Sequence, residues 1–392
     1  MEVDPGRGLH YLDNASTTFP KLPQVMEAMA QFWATAAVSP GRTNFDLAMV
    51  ADAAVGRCRA QMARLFNGPR PERVIFGHNA TDALNLVLFG LLQRGGHVVS
   101  TRLEHNSVLR PIAHCVDDFG AKATLVPFDG RGYVDPDEVR RAIGPDTRLV
   151  VVSHASNVLG TVQPVGEIGR VCREAGVPLC VDAAQSAGLV PLDMKAMNVD
   201  VVAFTGHKSL LGPTGVGGLC VGEGVEIPHS RAGGTGVRSA ERRHLAEYPY
   251  RLEYGTPNVL GIVGLSRGLD HLAERGGVSA SHARQMELAR VLWEGLGQTD
   301  GVTLYCAGSL ERRIPLFSFG IRGMDPAQAG ARLDVDFGVA CRTGLHCAPL
   351  VHQTLGTAPD GAIRMSVGAL TTLADVEAGV RAVKALAAEA RS

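Results

Sequence analysis

Between about residues 70 and 205, short runs of consecutive apolar positions alternate with segments whose apolar positions recur every three to four residues. The runs are Arg73–Phe76, His97–Thr101, Leu149–Ser153, Leu179–Asp182 and Asp200–Phe204. Runs without in-and-out alternation read as strands buried on both faces, as in a mainly parallel sheet covered by helices. The segments between them have the helical period: Ala83, Leu84, Val87, Leu88 and Leu91 share one helix face, and so do Val165, Ile168, Val171 and Cys172. A further run, Gly218–Val221, follows a glycine-rich turn that allows an adjacent strand to run antiparallel. Beyond Gly255-Thr256-Pro257-Asn258 the pattern turns helical over Val259–Arg275 and again over Ser281–Leu296. Strand-like pieces follow at Leu316–Ile321 and Val335–Cys341. A last helix is expected from Thr372, with Asp375 and Glu377 at its positive end. The expected organisation is a large α/β domain over residues 15–256 and a smaller α+β domain over 257–392. Residues 1–14 and part of the N-terminal helical segment, which runs to about Val38, are expected to pack with the smaller one.

Composition narrows the function classes more than the fold. The 392 residues include 38 Lys+Arg against 39 Asp+Glu, a formal net charge of −1. That balance leaves no global field for a polyanion, and no basic, aromatic-interleaved stripe occurs, so nucleic acid is not an expected partner. Glu2, Asp4 and Arg7 occupy the start where a secretory signal needs an apolar run, and no apolar stretch of roughly 18 residues is present. A cytoplasmic location is expected. The eight cysteines, Cys58, Cys115, Cys172, Cys180, Cys220, Cys306, Cys341 and Cys347, show no CxxC pair and no zinc spacing. Most read as small buried hydrophobes in a reduced compartment, and no metal is expected.

Ligands of open α/β sheets bind beyond the carboxyl ends of the strands, and here each end carries chemistry. Arg73–Phe76 leads into Gly77-His78-Asn79-Ala80-Thr81-Asp82 and a helix, whose free N–H groups and threonine hydroxyl suit a phosphate. Glu104 and His105 follow the next run, His154 and Asn157 the third, and Asp182 and Gln185 the fourth. The fifth leads to Thr205-Gly206-His207-Lys208. An aspartate closing an apolar strand needs a cationic or hydrogen-bonding partner, and a protonated ring nitrogen would serve. Desolvation of Lys208 would lower its pKa and make the amine nucleophilic. Alone, each residue reads as a polar cap on a strand end. Together they meet the needs of pyridoxal 5′-phosphate: a phosphate nest, a carboxylate for the pyridine nitrogen, a flat group against the ring and a lysine for the aldehyde.

These residues also resemble a known family, the class V pyridoxal-phosphate enzymes of fold type I. Within it the chain resembles the cysteine desulfurases of the group that includes selenocysteine lyase and SufS-like proteins. The resemblance runs from Tyr11-Leu12-Asp13-Asn14-Ala15-Ser16-Thr17-Thr18 through Glu104-His105-Asn106-Ser107, Ser156-Asn157-Val158-Leu159-Gly160, Val181-Asp182-Ala183-Ala184-Gln185-Ser186 and Gly206-His207-Lys208. It continues to Gly255-Thr256-Pro257-Asn258, Arg342-Thr343-Gly344-Leu345-His346-Cys347 and Ile363-Arg364-Met365-Ser366. It implies a mainly parallel, seven-stranded sheet sandwiched by helices plus a smaller C-terminal domain. By the same resemblance Lys208 would bind the cofactor aldehyde, Asp182 would pair with the ring nitrogen, Gln185 would bond the phenolic oxygen and His105 would stack on the ring. Backbone at Ala80 and Thr81, with the side chains of Thr81, Thr205 and His207, would hold the phosphate. Thr256 would reach the phosphate of a second subunit, which implies a homodimer. Asn14, Asn157, Arg342 and Arg364 would bind substrate, with Asn157 and Arg364 on its carboxylate.

Cys347 would be the nucleophile. It sits in a segment bounded by Gly344 and Pro349, preceded by His346 and Arg342, whose positive charge would favour a thiolate. Cys341, at the end of an apolar run, is the competing thiol and reads as core. The implied reaction converts L-cysteine to L-alanine with a persulfide on Cys347, for transfer to an acceptor. Alternatives are a selenocysteine lyase, a cysteine sulfinate desulfinase or another class V aminotransferase or lyase, and, of another class, a catalytically quiet partner in a sulfur-transfer assembly. Two departures from the family pattern stand out. Asn44 and Phe45 lie where a histidine is usual near the site entrance, and Leu345 fills a position that is often polar.

Overall fold

The computed structural model describes residues 8–41, 45–68 and 70–391. Its main sheet has seven strands in the spatial order Val74–Gly77, Gly217–Val221, Val201–Thr205, Leu179–Asp182, Thr147–Ser153, His97–Thr101 and Lys122–Val126. Gly217–Val221 pairs antiparallel with both of its neighbours, and the remaining pairs are parallel. The strand period of two sorts the side chains to two apolar layers. Val150, Val152, Val181, Val202 and Phe204 enter one core, and Leu149, Val151, Cys180, Val201 and Ala203 enter the other. Helices Ala80–Leu92 and Asn106–Phe119 cover the second face, whereas Val165–Ala175 covers the first. The edge strand Lys122–Val126 has no apolar run to announce it, because its first three residues are exposed.

Gly218 is where the sheet is tightest. A Cβ there would lie 1.9 Å from the Ile75 carbonyl oxygen in the next strand, so Gly218→Ala must part the two strands. We expect this substitution to destabilise the protein by about 3 kcal/mol, the upper range of overpacking. A urea unfolding midpoint equal to wild type would contradict this close approach.

The second sheet has the order Arg342–Gly344, Ala362–Ser366, Leu316–Ile321 and Val302–Leu304, all antiparallel. Helices Gly277–Gly297, Pro326–Phe337 and Leu373–Glu389 pack on it around Phe317, Phe319, Leu333, Val383 and Leu386. Helix Leu373–Glu389 opens with a reciprocal capping box between Thr372 and Asp375. The strand-like reading of Val335–Cys341 is corrected here. Asp325 caps a helix that begins at Pro326, and only Gly338, in a left-handed conformation, ends it, leaving Val339–Ala340 as a two-residue strand. That strand pairs with His10–Tyr11, and Leu12 enters the same core. Helix Pro23–Ala36 packs on helix Val259–Glu274, and Phe32 and Ala36 of the one share the main core with Ile262 and Leu265 of the other.

Candidate active site

The carboxyl ends of the main strands surround a cavity of about 240 Å³, which Ala80, Thr81, His105, Asn157, Asp182, Gln185, Thr205, His207 and Lys208 all help to line. At one end it meets the first turn of helix Ala80–Leu92. Asn79 caps that helix through the N–H of Asp82, 3.0 Å away, which leaves the N–H groups of Ala80 and Thr81 without intrahelical acceptors. The Thr81 hydroxyl bonds Ser107 Oγ at 2.8 Å, and His207 Nδ1 lies 3.0 Å from Thr17 Oγ1. Thr205 Oγ1 is buried with no hydrogen-bond partner among the described residues. An orphaned hydroxyl beside free helix N–H groups is a donor set for an anion, and a phosphate satisfies it.

Asp182 sits deeper. It ends strand Leu179–Asp182, and its Oδ1 accepts the Ala184 N–H at 2.9 Å. Burial raises its carboxyl above the usual range, although that N–H and the Lys208 charge pull the other way. Burial pushes the Lys208 amine down to about 8, helped by the charges of Arg364 and Arg342 and opposed by Asp182. A buried carboxylate short of a cation and an amine held near neutrality are what a pyridine ring and an aldehyde require of a site, so the residues fit pyridoxal phosphate. Gln185 donates to the Ala15 carbonyl at 3.0 Å. His105 caps helix Asn106–Phe119 by accepting the Ser107 N–H on Nδ1, which places the proton of the neutral ring on Nε2. Burial and the nearby cations Lys208 and Arg342 lower this imidazole to about 4, so its ring is neutral at physiological pH.

Beyond Asn157 the second sheet contributes a cationic pair. Arg342 and Arg364 are directly opposed in neighbouring strands. Arg364 is 1% exposed; it donates to the Asn157 carbonyl at 2.9 Å, to Asp13 at 2.7 Å and to Ser16 Oγ at 3.0 Å, and its Nε is buried without a partner among the described residues. Arg342 reaches Ser16 Oγ at 3.1 Å with one amino group and Cys347 Sγ at 3.5 Å with the other. Cys347 itself lies in a loop where His346 and Cys347 both have positive φ, 49° and 57°. Two hydrogen bonds hold that costly backbone: Asn157 Nδ2 donates to the His346 carbonyl at 2.7 Å and the Asn106 N–H to the Cys347 carbonyl at 2.7 Å.

The structure therefore groups the expected site residues unevenly. Asn14 lines a different hollow, and its amide N–H groups go to Tyr11, Ser366 and Thr371. Thr256 also lines a separate hollow, beside Tyr254 and Asp82. One expectation is corrected. His346 gives the thiol no positive charge, because it is 2% exposed and burial pushes its imidazole far below the usual range, which leaves Arg342 as the cation on Cys347. Cys341 packs partly buried against the smaller core, and burial pushes its thiol up to about 12. Asn44 lies outside the described residues; Phe45 is exposed ahead of helix Asp46–Leu65. Sequence reasoning gave no role to Asp13 or Ser16, although both stand in a motif it singled out. It noted Glu104 only as a strand-end residue. That carboxyl is fully buried, accepts from Thr101 Oγ1, the Ser153 N–H and Ser153 Oγ, and is raised to about 7 chiefly by burial.

His154 donates its backbone N–H to the Asp182 carbonyl at 2.9 Å. It is 2% exposed, lies 2.9 Å from Ser186 Oγ, and burial lowers it to about 4. A histidine with a folded value below its unfolded value near 6.5 stabilises the fold above the unfolded value, and that stability is lost as pH falls toward the folded one. Between about pH 7 and pH 5 we expect His154→Gln to lose about 2 kcal/mol less stability than wild type. Parallel urea curves at both pH values check it; an equal loss in the two proteins would contradict a buried neutral His154.

Among the described residues no cluster of histidine, cysteine or acidic side chains could hold a metal ion, and no helix is long and apolar enough to cross a membrane. The profile of the class-V aminotransferase family matches residues 10–378. A probable cysteine desulfurase of Methanothermobacter thermautotrophicus is 34% identical over 94% of this chain and 92% of its own length. One of Pseudomonas putida is 34% identical over 94% and 91%. The apo structure of a cysteine desulfurase from Thermococcus onnurineus superposes with a TM-score of 0.89 at 30% identity, covering 97% of this chain and 94% of that one. The S-sulfonic acid form of the Escherichia coli cysteine desulfurase CsdA gives a TM-score of 0.85 at 29% identity, with coverage of 97% and 94%.

Proposed function

We propose, for a chain that belongs to the class-V aminotransferase family and within it to the cysteine desulfurases, a reaction in which L-cysteine becomes L-alanine while its sulfur passes to Cys347. The observation that carries this reading is the Arg342 guanidinium, 3.5 Å from the Cys347 sulfur, whose charge also acts on Lys208 in the cavity that Asp182 lines. Pyridoxal 5′-phosphate is the cofactor that the donor set fits; when bound, it accepts the electron pair released at the substrate Cα.

The chain's own residues do the rest. Ala80, Thr81, Thr205 and His207 hold the phosphate. Asp182 would face the ring nitrogen and favour its protonated form, and the neutral His105 ring would supply a flat face. Lys208 would hold the aldehyde and, when free, would move the Cα proton with an amine that burial holds near 8. The substrate carboxylate needs buried donors, and Arg364, which bonds the carbonyl of the cavity-lining Asn157, offers a free Nε. The Cys347 thiolate then attacks the substrate sulfur. A sulfur–sulfur bond forms, the carbon–sulfur bond breaks, and its electron pair stays on carbon, which takes a proton to become alanine. Cysteine and the Cys347 thiol thus give alanine and a Cys347 persulfide, whose outer sulfur goes to a protein or small-molecule acceptor.

Thr256, which lines a hollow other than that of Lys208, would serve the cavity of a second copy. Helix Pro23–Ala36 exposes Met26 and Trp33, and the start of helix Asp46–Leu65 exposes Leu47, Met49 and Val50, apolar surface that supports a homodimer. Sedimentation at twice the chain mass is expected; a monomer that retains full activity would contradict the shared site. Eight free thiols and a thiolate nucleophile suit a reducing compartment, the cytoplasm. The test of the function is direct: the purified protein should show the visible absorbance of bound pyridoxal phosphate and release alanine and sulfide from L-cysteine in the presence of a reductant. Amino transfer to pyruvate without sulfur release would overturn it.

A further inference from the structure

Arg342 and Arg364 face each other across an antiparallel strand pair, an arrangement in which like charges repel. Among the described residues the one carboxylate within ion-pair distance of either is that of Asp13, which pairs with Arg364. Ser16 joins the three. Its hydroxyl donates to Asp13 Oδ1 at 2.9 Å and accepts from Arg364 Nη2 at 3.0 Å and from Arg342 Nη1 at 3.1 Å. One donor and two lone pairs are then all in use, so the hydroxyl has a single orientation. The positive charge that Asp13 leaves unbalanced is that of Arg342, and the second amino group of Arg342 meets Cys347 Sγ.

We infer that Ser16 is a positioning residue for the nucleophile: its hydroxyl, locked by Asp13 and Arg364, fixes the Arg342 guanidinium against the attacking Cys347 sulfur. The inference rests on Cys347 being the nucleophile. The other groups around Cys347 leave this task to Arg342. Arg364 is engaged by Asp13, and the imidazoles of His346 and His105 are kept neutral by burial and, for His105, by Lys208 as well. An alanine at position 16 would remove the acceptor from Arg342 and leave its guanidinium free to turn from the sulfur.

The experiment measures iodoacetamide alkylation of Cys347, mapped by peptide mass, in the cofactor-loaded protein across a range of pH. Near pH 7 Ser16→Ala should react about tenfold more slowly than wild type, and the gap should close toward pH 10, where thiols ionise unaided. Ser16→Thr, which keeps the hydroxyl, should stay within about threefold of wild type. With L-cysteine, kcat of Ser16→Ala should fall about tenfold near pH 7 and recover at high pH, while KM changes little because Arg364 keeps Asp13 and the Asn157 carbonyl. Equal alkylation of wild type and Ser16→Ala at neutral pH overturns the inference. So does a loss of kcat that is the same at every pH, which marks a merely structural role. Should Ser16→Ala slow alkylation in a protein that makes no alanine from cysteine, the desulfurase reading fails and the role of Ser16 in holding Arg342 stands.

Discussion

Replacing Lys208 with alanine is expected to lower alanine formation from L-cysteine by at least about 1,000-fold, because one side chain both binds the aldehyde and moves the Cα proton. Positioned proton transfer alone contributes about 10²- to 10⁴-fold. An amine at its ordinary value would be almost wholly protonated at neutral pH; the surroundings of Lys208, which bring it to about 8, leave a usable fraction free. Burial supplies most of this shift, and the two arginines of the second sheet add to it. Lys208→Ala should still bind pyridoxal phosphate through the phosphate cradle and Asp182, without the absorbance of the lysine-bound form. Added methylamine should restore part of the activity. Undiminished turnover in Lys208→Ala would remove the lysine from the reaction.

The second large effect is at Cys347. Cys347→Ala should retain the cofactor spectrum and bind L-cysteine, since the cavity wall does not include this residue. Alanine and sulfide should nevertheless fall by about 1,000-fold, since the carbon–sulfur bond then lacks a nucleophile on sulfur. Selenocysteine, whose selenium leaves more readily, should lose far less, so the ratio of the two rates reports how much the thiol contributes. Cys341→Ala should keep most of its turnover, because that thiol packs against the smaller core and is pushed up to about 12. If Cys347→Ala turns over L-cysteine like wild type, the site is a lyase or transaminase site in which the cysteine is incidental.

Much of this was legible in the chain because buried strands write themselves as apolar runs. Four of the central strands, and the gathering of His105, Asp182 and Lys208 at their carboxyl ends, follow from runs that the sheet buries on both faces. Lys122–Val126 escaped because an edge strand needs no apolar face toward solvent. Val335–Cys341 misled because Val335, Phe337 and Val339 alternate as a strand would, yet the helix capped at Asp325 and stopped at Gly338 takes its first three residues and leaves only Val339–Ala340 as strand. At the site, residue identity was legible and partnership was not. His346 looks like a cation in sequence, and only its burial makes it a neutral spacer. Asn14 looks like a substrate ligand, but its amide N–H groups are spent on Tyr11, Ser366 and Thr371. Ser16 has no signal of its own, since its meaning depends on two arginines more than 300 positions away in the chain.

The account turns on where the sulfur goes. The measurement is the mass of the tryptic peptide that carries Cys347, taken after the cofactor-loaded protein has met one equivalent of L-cysteine without reductant. The account predicts one added sulfur atom on Cys347, in proportion to the alanine formed, and none on Cys306 or Cys341. Alanine formed in full with Cys347 unmodified would contradict it.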